Sequence, residues 1–316
     1  MRIEYQIMLS LLLDFILGDP RFVLHPVRLI GAVALKLEPL FRQLPFSLRV
    51  NGTLVALSVI ALTGGLAFAL IRAANQLHPL MGDLVSVLLI YFAIAARDLE
   101  RHSTAVFKAL MQGKLDNARR ALAMIVGRDT SALDTQGISR AAVESVAESI
   151  VDGITAPIFF ACLFGPVGAM AYKAINTLDS TFGYKNERYR YFGWASARID
   201  DMANFIPARL TALVMPLAAA ILGKSPLRTF KIILRDHAKH ESPNAAFSEA
   251  AMAGALGVRL GGLSYYQGEP LEKPFIGDVV VELEPAHIKK ANHVMYLTTL
   301  LFTLGCVALS LIVRGL

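Results

Sequence analysis

The stretch ESVAESIVDGITAPIFFACLFGPVGAMAYKAINTLDS, residues 144–180, decides the fold. An apolar run, 154–171, is set between acids at 144, 148 and 152 on one side and the polar group Asn176, Asp179 and Ser180 on the other. Gly165-Pro166 and Gly168 interrupt that run, so it either crosses a membrane as a kinked helix or enters and returns. Ionisable side chains beside apolar segments of this length are costly and mark functional sites by default.

The rest of the chain has the same character. Of 316 residues, 55% are hydrophobic and 18% charged, and mean hydropathy is +0.51. A soluble domain carries nearer a quarter charged residues. The expectation is an all-α, polytopic integral membrane protein with about 4–6 transmembrane or re-entrant helices and helical cytoplasmic loops. Residues 50–71 and 294–313 are clean spans, 79–96 is slightly short, 3–17 is weaker, and 205–222 carries Arg209 and two prolines. The first of these, 3–17, is read as a retained helix, since Asp14 interrupts it and Gly-Asp-Pro ends it without a small-residue cleavage site. Helices sharing one bilayer make 1–316 a single embedded domain, with a cytoplasmic helical segment at 97–153, a polar catalytic segment at 172–210 and a long loop region at 223–293. The last of these includes a short hairpin near 265–277 and a small-residue helix at 249–256, whose alanines and glycine admit another helix or a large flat ligand.

The net charge of +6 reports topology first, because cytoplasmic loops collect Lys and Arg, and it is compatible with anionic ligands. No basic tract interleaved with aromatics points to nucleic acid. Cys162 and Cys306 read as small buried hydrophobes without metal-ligand spacing. Orientation exposes a conflict. If every apolar segment crosses, the polar residues after 172 lie opposite those before 153, although together they look like one site. The simplest repair is that the Gly-Pro-broken segment does not fully cross, which in turn reverses the side of 223–293 unless 205–222 also fails to cross.

Glu144, Glu148 and Asp152 fall four apart and share a helix face. Such a stripe suits magnesium, with Asp179 as a further ligand, or is a solvated face paired to Arg140. Asn176 and Asp179 extend the site or cap a helix end, while Ser180, Tyr184 and Lys185 offer donors beside a basic loop. Asp200, Asp201, Asn204 and Arg209 stand at a membrane entry, where Arg209 is expected to pair with one of the two carboxylates. Arg128 and Asp129 bind phosphate, or Asp129 or Thr130 caps a helix. His25 and Arg28 follow a proline-punctuated turn, and Ser242, Asn244 and Glu249 are late candidates.

The phrases GDPRFVLHPVRLIG (18–31), GRDTSALDTQGISRAAVESVAESIVDGITAP (127–157), YKAINTLDSTFGYKNERYRYFGWASARIDDMANFIPARL (172–210) and SPNAAFSEAAMAGALGVRLGG (242–262) together resemble the cobalamin-biosynthesis CobD/CbiB family, the adenosylcobinamide-phosphate synthases. Ala246 stands where the family pattern favours glycine. The resemblance implies an ATP- and Mg2+-dependent amide bond between adenosylcobyric acid and aminopropanol or its O-phosphate. It also implies a multi-pass protein of a bacterial cytoplasmic membrane with its active site facing the cytoplasm, and a complex with later nucleotide-loop assembly enzymes. On that reading Glu148, Asp179 and Asp200 are catalytic, with Asp179 or Asp200 taking the proton of the attacking amine. Arg128, Lys185 and Arg209 supply positive charge for phosphoryl transfer. No Walker loop is present, so ATP rests on the resemblance alone. The rival functions are a membrane accessory or sensor protein on a related scaffold, an Asp-rich membrane transferase using a pyrophosphate substrate, and a transporter.

Overall fold

In the computed structural model, which describes residues 1–20, 25–266 and 268–315, the apolar run of 154–171 does not form a straight helix. The helix α7 (Thr135–Ile150) passes through a π turn (Val151–Thr155) into α8 (Ala156–Phe182). Inside α8, Gly165 adopts φ 67°, ψ −163°, a conformation open to glycine and strained for a residue with a Cβ. Pro166 follows and cannot donate back into the preceding turn. The chain therefore folds back on itself. The rings of Phe160 and Tyr172 stack with centroids 5.1 Å apart, where a straight helix would separate residues twelve apart by about 18 Å. The Tyr172 hydroxyl donates to the Asp152 carbonyl at 3.4 Å, so the second leg of this helical hairpin comes back to the level of Asp152 at Tyr172. Leu163 and Phe164 at its tip are exposed, as lipid-facing groups are.

Five helical stretches, Leu48–Leu77, Pro79–Met111, Thr135–Phe182, Trp194–Ile221 and Ala286–Ile312, are long and apolar enough to cross a membrane by length and composition. The protein is a polytopic, all-α membrane protein. The third stretch contains the Gly165 reversal, and its first leg, Ala156 to Phe164, is about 13 Å long, well short of a hydrocarbon core. The second stretch is broken at Ile94, which is extended.

The chain divides into two compact units: Met1–Ala95, Asp152–Asn204 and Gly305–Leu316 form the first, and Ala96–Val151 and Phe205–Leu304 the second. Each is assembled from interleaved parts of the chain, so no single cut in the sequence separates them.

The first unit holds α1 (Ile3–Leu17), α2 (Pro26–Arg42), α3 (Leu48–Leu77), α4 (Pro79–Ala93), the hairpin α8 and the start of α9 (Trp194–Ile221). α3 packs on α2, α4 and α8, and α1 packs on α4 and α8. Pro26 opens α2 at a position where its missing N–H costs nothing. Ser47 caps α3 by accepting from the Val50 N–H. Ala34, Val55, Val59, Leu178, Phe182 and Phe192 form part of its buried core. Outward, Leu57, Leu62, Leu66, Phe68 and Leu70 of α3 are exposed, an apolar face that lipid satisfies.

The second unit contains α5 (Ala96–Met111), α6 (Leu115–Leu122), α7, α10 (Pro226–Asp236), α11 (Ala245–Leu256), the antiparallel strands β1 (Leu260–Tyr266) and β2 (Glu269–Ile276), and most of α12 (Ala286–Gly315). The stretch 223–293, read from sequence as a long loop region, thus holds two helices, a hairpin and the first turns of α12. Gln267 lies outside the described residues, as does 21–24 of the first quoted motif. The small residues of α11 serve helix packing. A Cβ on Gly254 would sit 2.6 Å from the Thr229 Cα, so glycine lets α10 and α11 approach closely.

Candidate functional site

The hairpin of α8 brings both its ends to one mouth of the first unit. Asp152 stands in the π turn at one end, and Tyr172, Lys173, Asn176 and Asp179 occupy the other. The first turns of α9 add Asp200 and Asn204. A continuous chain of hydrogen bonds links them. The Tyr172 hydroxyl donates to Asn204 Oδ1 at 2.8 Å, and Asn204 Nδ2 donates to Asp200 Oδ2 at 2.9 Å. Asp200 is buried, and its Oδ1 makes no hydrogen bond of ordinary geometry among the described residues. Asp179, Asn176 and Asp201 are its electrostatic neighbours. A Cβ on Gly183 would meet Asp179 Oδ1 at 2.0 Å and the Asp179 carbonyl at 2.7 Å, so a glycine there leaves room for this carboxylate.

Positive charge stands behind the acids. Lys173 is buried, and Asp19 and Asp152 are the carboxylates facing it. Asp19 Oδ1 in turn lies 2.8 Å from His25 Nε2, whose ring meets Phe92 edge-on. The Tyr91 hydroxyl donates to the Gly18 carbonyl and fixes the turn that presents Asp19. His25 therefore has a positioned carboxylate partner, while Arg28 is exposed on α2. Ser180 bonds the Asn176 carbonyl, Tyr184 and Lys185 are exposed, and Asp201 pairs with Arg198 at 3.1 Å. Sequence reading undervalued Tyr172, Lys173 and Asp19. A buried lysine in an apolar run was the available signal for one of them, and the other two depend on the hairpin and on the pinned turn.

The remaining predicted residues belong to the second unit, and their geometry differs from the expected magnesium stripe. Among the described residues no three of His, Cys, Asp and Glu gather to hold a metal ion, and the triple Glu144, Glu148 and Asp152 is no exception. Glu144 is committed elsewhere: Arg128 Nη2 lies 2.6 Å from its Oε2, and the Gly261 N–H donates to its Oε1 at 2.7 Å. Glu148 is exposed. Arg128 is thereby tied to a carboxylate and to Ser264 and is not a free phosphate donor. Asp129 accepts from the Gly268 N–H and donates its own N–H to the Tyr265 carbonyl, fastening the segment before α7 to the β-hairpin. The cap of α7 is Asp134, not Asp129 or Thr130.

Glu249 is buried on α11 with His240 Nε2 at 3.8 Å. Burial pushes its carboxyl well above the usual carboxylate range, and Glu144 and Glu148 add to the effect. Burial, with Lys273 nearby, lowers the His240 imidazole. Arg209 makes no ion pair with Asp200, Asp201 or any other carboxylate among the described residues. It lies over the rings of Phe205 and Phe247, with Cζ 3.4 Å and 4.4 Å from their centroids, and donates to Asn244 Oδ1. Ser242 Oγ accepts from the N–H groups of Asn244 and Ala245 at the start of α11.

Two carboxylates facing each other in a buried setting repel unless a proton or a cation lies between them. Asn204 holds Asp200 through its amide N–H while its own oxygen accepts from Tyr172, and Asp179 and Asp200 are hard oxygen donors. That set fits Mg2+, which takes one or two carboxylates and completes its shell with water and phosphate oxygens.

No solved structure matches the chain. Curated relatives match over nearly its whole length. A cobalamin biosynthesis protein CobD of Geobacter metallireducens is 48% identical over 290 residues, 92% of this chain and 91% of the relative. One of Clostridium perfringens is 44% identical, covering 94% of each chain. A cobalamin biosynthesis protein CbiB of Salmonella arizonae is 44% identical, covering 90% of each. The family model described as CobD/Cbib protein matches residues 7–295, and with relatives this similar over this much of its length, the chain belongs to that family.

Proposed function

We propose that this protein joins adenosylcobyric acid to aminopropanol or its O-phosphate by an amide bond, using ATP and Mg2+. Membership of the family supports a role in cobalamin biosynthesis. The observation that carries the chemical reading is the facing pair Asp179 and Asp200 at the mouth of the α8 hairpin, where Lys173 faces Asp19 and Asp152.

A carboxylate is a poor electrophile. Transfer of the terminal phosphoryl group of ATP to the corrinoid carboxylate releases ADP and gives an acyl phosphate. The amine then attacks the acyl carbon, phosphate leaves, and the amine proton passes to a carboxylate. Asp179 and Asp200 would hold Mg2+ with the amide oxygen of Asn176, and the ion would neutralise charge on the transferring phosphate. Lys173 and Lys185 add positive charge. Asp200 Oδ2 accepts from Asn204 Nδ2, and a carboxylate oxygen of Asp179 or Asp200 that the ion leaves uncoordinated would accept the amine proton.

The surroundings of this mouth support a cytoplasmic sidedness. Arg42 donates to the Arg188 carbonyl, and Arg49 lies over Tyr191 and Trp194. Arg and Lys therefore collect where α3 and α9 begin, beside exposed aromatics. Cytoplasmic membrane faces carry that pattern, which supports a site open to the cytoplasm.

The test is purified protein in detergent with adenosylcobyric acid, aminopropanol or its O-phosphate, ATP and Mg2+, read by mass spectrometry of the corrinoid. ATP-dependent gain of the amine's mass supports the reading. Corrinoid unchanged with either amine sinks it and favours the accessory or transferase alternatives.

A further inference from the structure

The end of the first unit remote from the mouth holds a cleft that the reaction above does not use. Its volume is about 430 Å³, and its walls are the start of α1, the last turns of α3, the start of α4 and the hairpin tip at Gly165. The length of α3 fixes its depth. Arg49, over Tyr191 and Trp194, stands at the mouth end of that helix, and Arg72 lines the cleft twenty-three residues on. That separation is about 35 Å of helix, slightly more than a hydrocarbon core. Residues 50–71 between them carry no ionisable side chain. Arg72 therefore stands at the headgroup level of the opposite leaflet.

Arg2 and Arg72 both line the cleft, and neither side chain makes an ion pair or a hydrogen bond among the described residues. Asp83 is the carboxylate on its wall, and it is taken. Gln6 Nε2 donates to its Oδ1 at 3.0 Å, and the Met1 amino group donates to its Oδ2 at 2.8 Å. The two guanidinium charges are left over. Topological bias gives no reason for them, since Lys and Arg gather on the cytoplasmic side and the mouth lies at the other end. The cleft also runs into apolar surface. Phe68, one turn before Arg72, lines it and is exposed. Gly65 follows on the same face of α3, and a Cβ there or on Gly165 would meet nothing within 4 Å, so the groove below the arginines is open.

We propose that this cleft binds an anionic phospholipid, with the lipid phosphate between Arg2 and Arg72 and an acyl chain along Phe68 and Gly65. A planar guanidinium matches two phosphate oxygens at once, and its long stem reaches the headgroup layer from a helix end. A soluble phosphate ester shares the head chemistry but leaves the apolar groove unfilled. The assignment needs neither ATP, corrinoid nor amine, and only the choice of leaflet rests on the proposed sidedness of the mouth.

The experiment is native mass spectrometry of the full chain, released from uncharged detergent micelles that hold equal amounts of phosphatidylglycerol and phosphatidylcholine. The wild type should retain phosphatidylglycerol about tenfold in preference, and Arg2→Gln combined with Arg72→Gln should abolish that preference. Gly65→Leu fills the groove while leaving both charges in place, and should weaken phosphatidylglycerol retention about fivefold. It carries the test where the double variant does not fold. Equal retention of the two lipids by the wild type, or variants that retain them as the wild type does, overturns the proposal. Release of phosphatidylglycerol by inorganic phosphate at constant ionic strength would give the cleft to a soluble anion and overturn the lipid assignment.

Discussion

Asp179 and Asp200 set like charges against each other where water is scarce, an arrangement that is stable only with a proton or a cation between them. If that cation is Mg2+, Asp179→Asn removes one anionic ligand, and the Mg2+ concentration for half-maximal turnover rises about tenfold or more, as a metal titration of activity would show. Asp236 displays the opposite situation. Burial works to raise its carboxyl, but hydrogen bonds from Arg235, Lys239 and the Gly277 N–H outweigh burial and hold it well below the usual carboxylate range. A depressed carboxyl contributes stability that is complete above its unfolded value, near 4, and fades as pH falls toward its folded value. Asp236→Asn should cost about 2–3 kcal/mol near neutral pH and flatten the acid limb of stability, measured by chemical unfolding between pH 3 and 7. An unchanged acid limb would remove Asp236 as its cause. Such pairings hide from sequence. The Arg128–Glu144 bridge crosses sixteen positions and the Gly261 contact more than a hundred, so Glu144 read as part of a magnesium-binding stripe when it is a buried structural anion.

The hairpin of α8 is the element on which the site depends. Gly165-Pro166 was a visible signal, because one residue carries the turn and the next cannot continue a helix. The choice between kink and return was not visible, since it rests on stacking between side chains twelve positions apart. With Cys162 and Cys306 replaced, cysteines at Phe160 and Tyr172 should form a disulfide under mild oxidation, detected by a mobility shift. A straight helix keeps them about 18 Å apart and gives none. Gly165→Ala places a Cβ in the left-handed region at φ 67° and should lower stability by about 1–2 kcal/mol, seen as a reduced Tm in detergent. The helices themselves were largely legible: α1 and α4 begin where the apolar runs begin, and Asn244 and the small residues marked α11. Capping was legible in kind but misplaced along the chain, since Asp134 lies a few residues beyond the candidates Asp129 and Thr130 and only one acid has its N–H groups in reach.

Within the first unit, the hairpin brings Tyr172 back to the level of Asp152, so the chain reverses between them. Sequence reading pooled its candidate residues into one set. The structure instead sorts them into a carboxylate–amide mouth in the first unit and a group of ion pairs and an aromatic-seated arginine in the second. Composition could not make that division, because both sets share the same residue types. The most direct measurement is corrinoid product formed by purified wild type and by Asp200→Asn, each shown to be folded and inserted, with ATP, Mg2+ and amine supplied. The account predicts ATP-dependent product from the wild type and at least about a hundredfold less from the variant; equal turnover by the two proteins would contradict it.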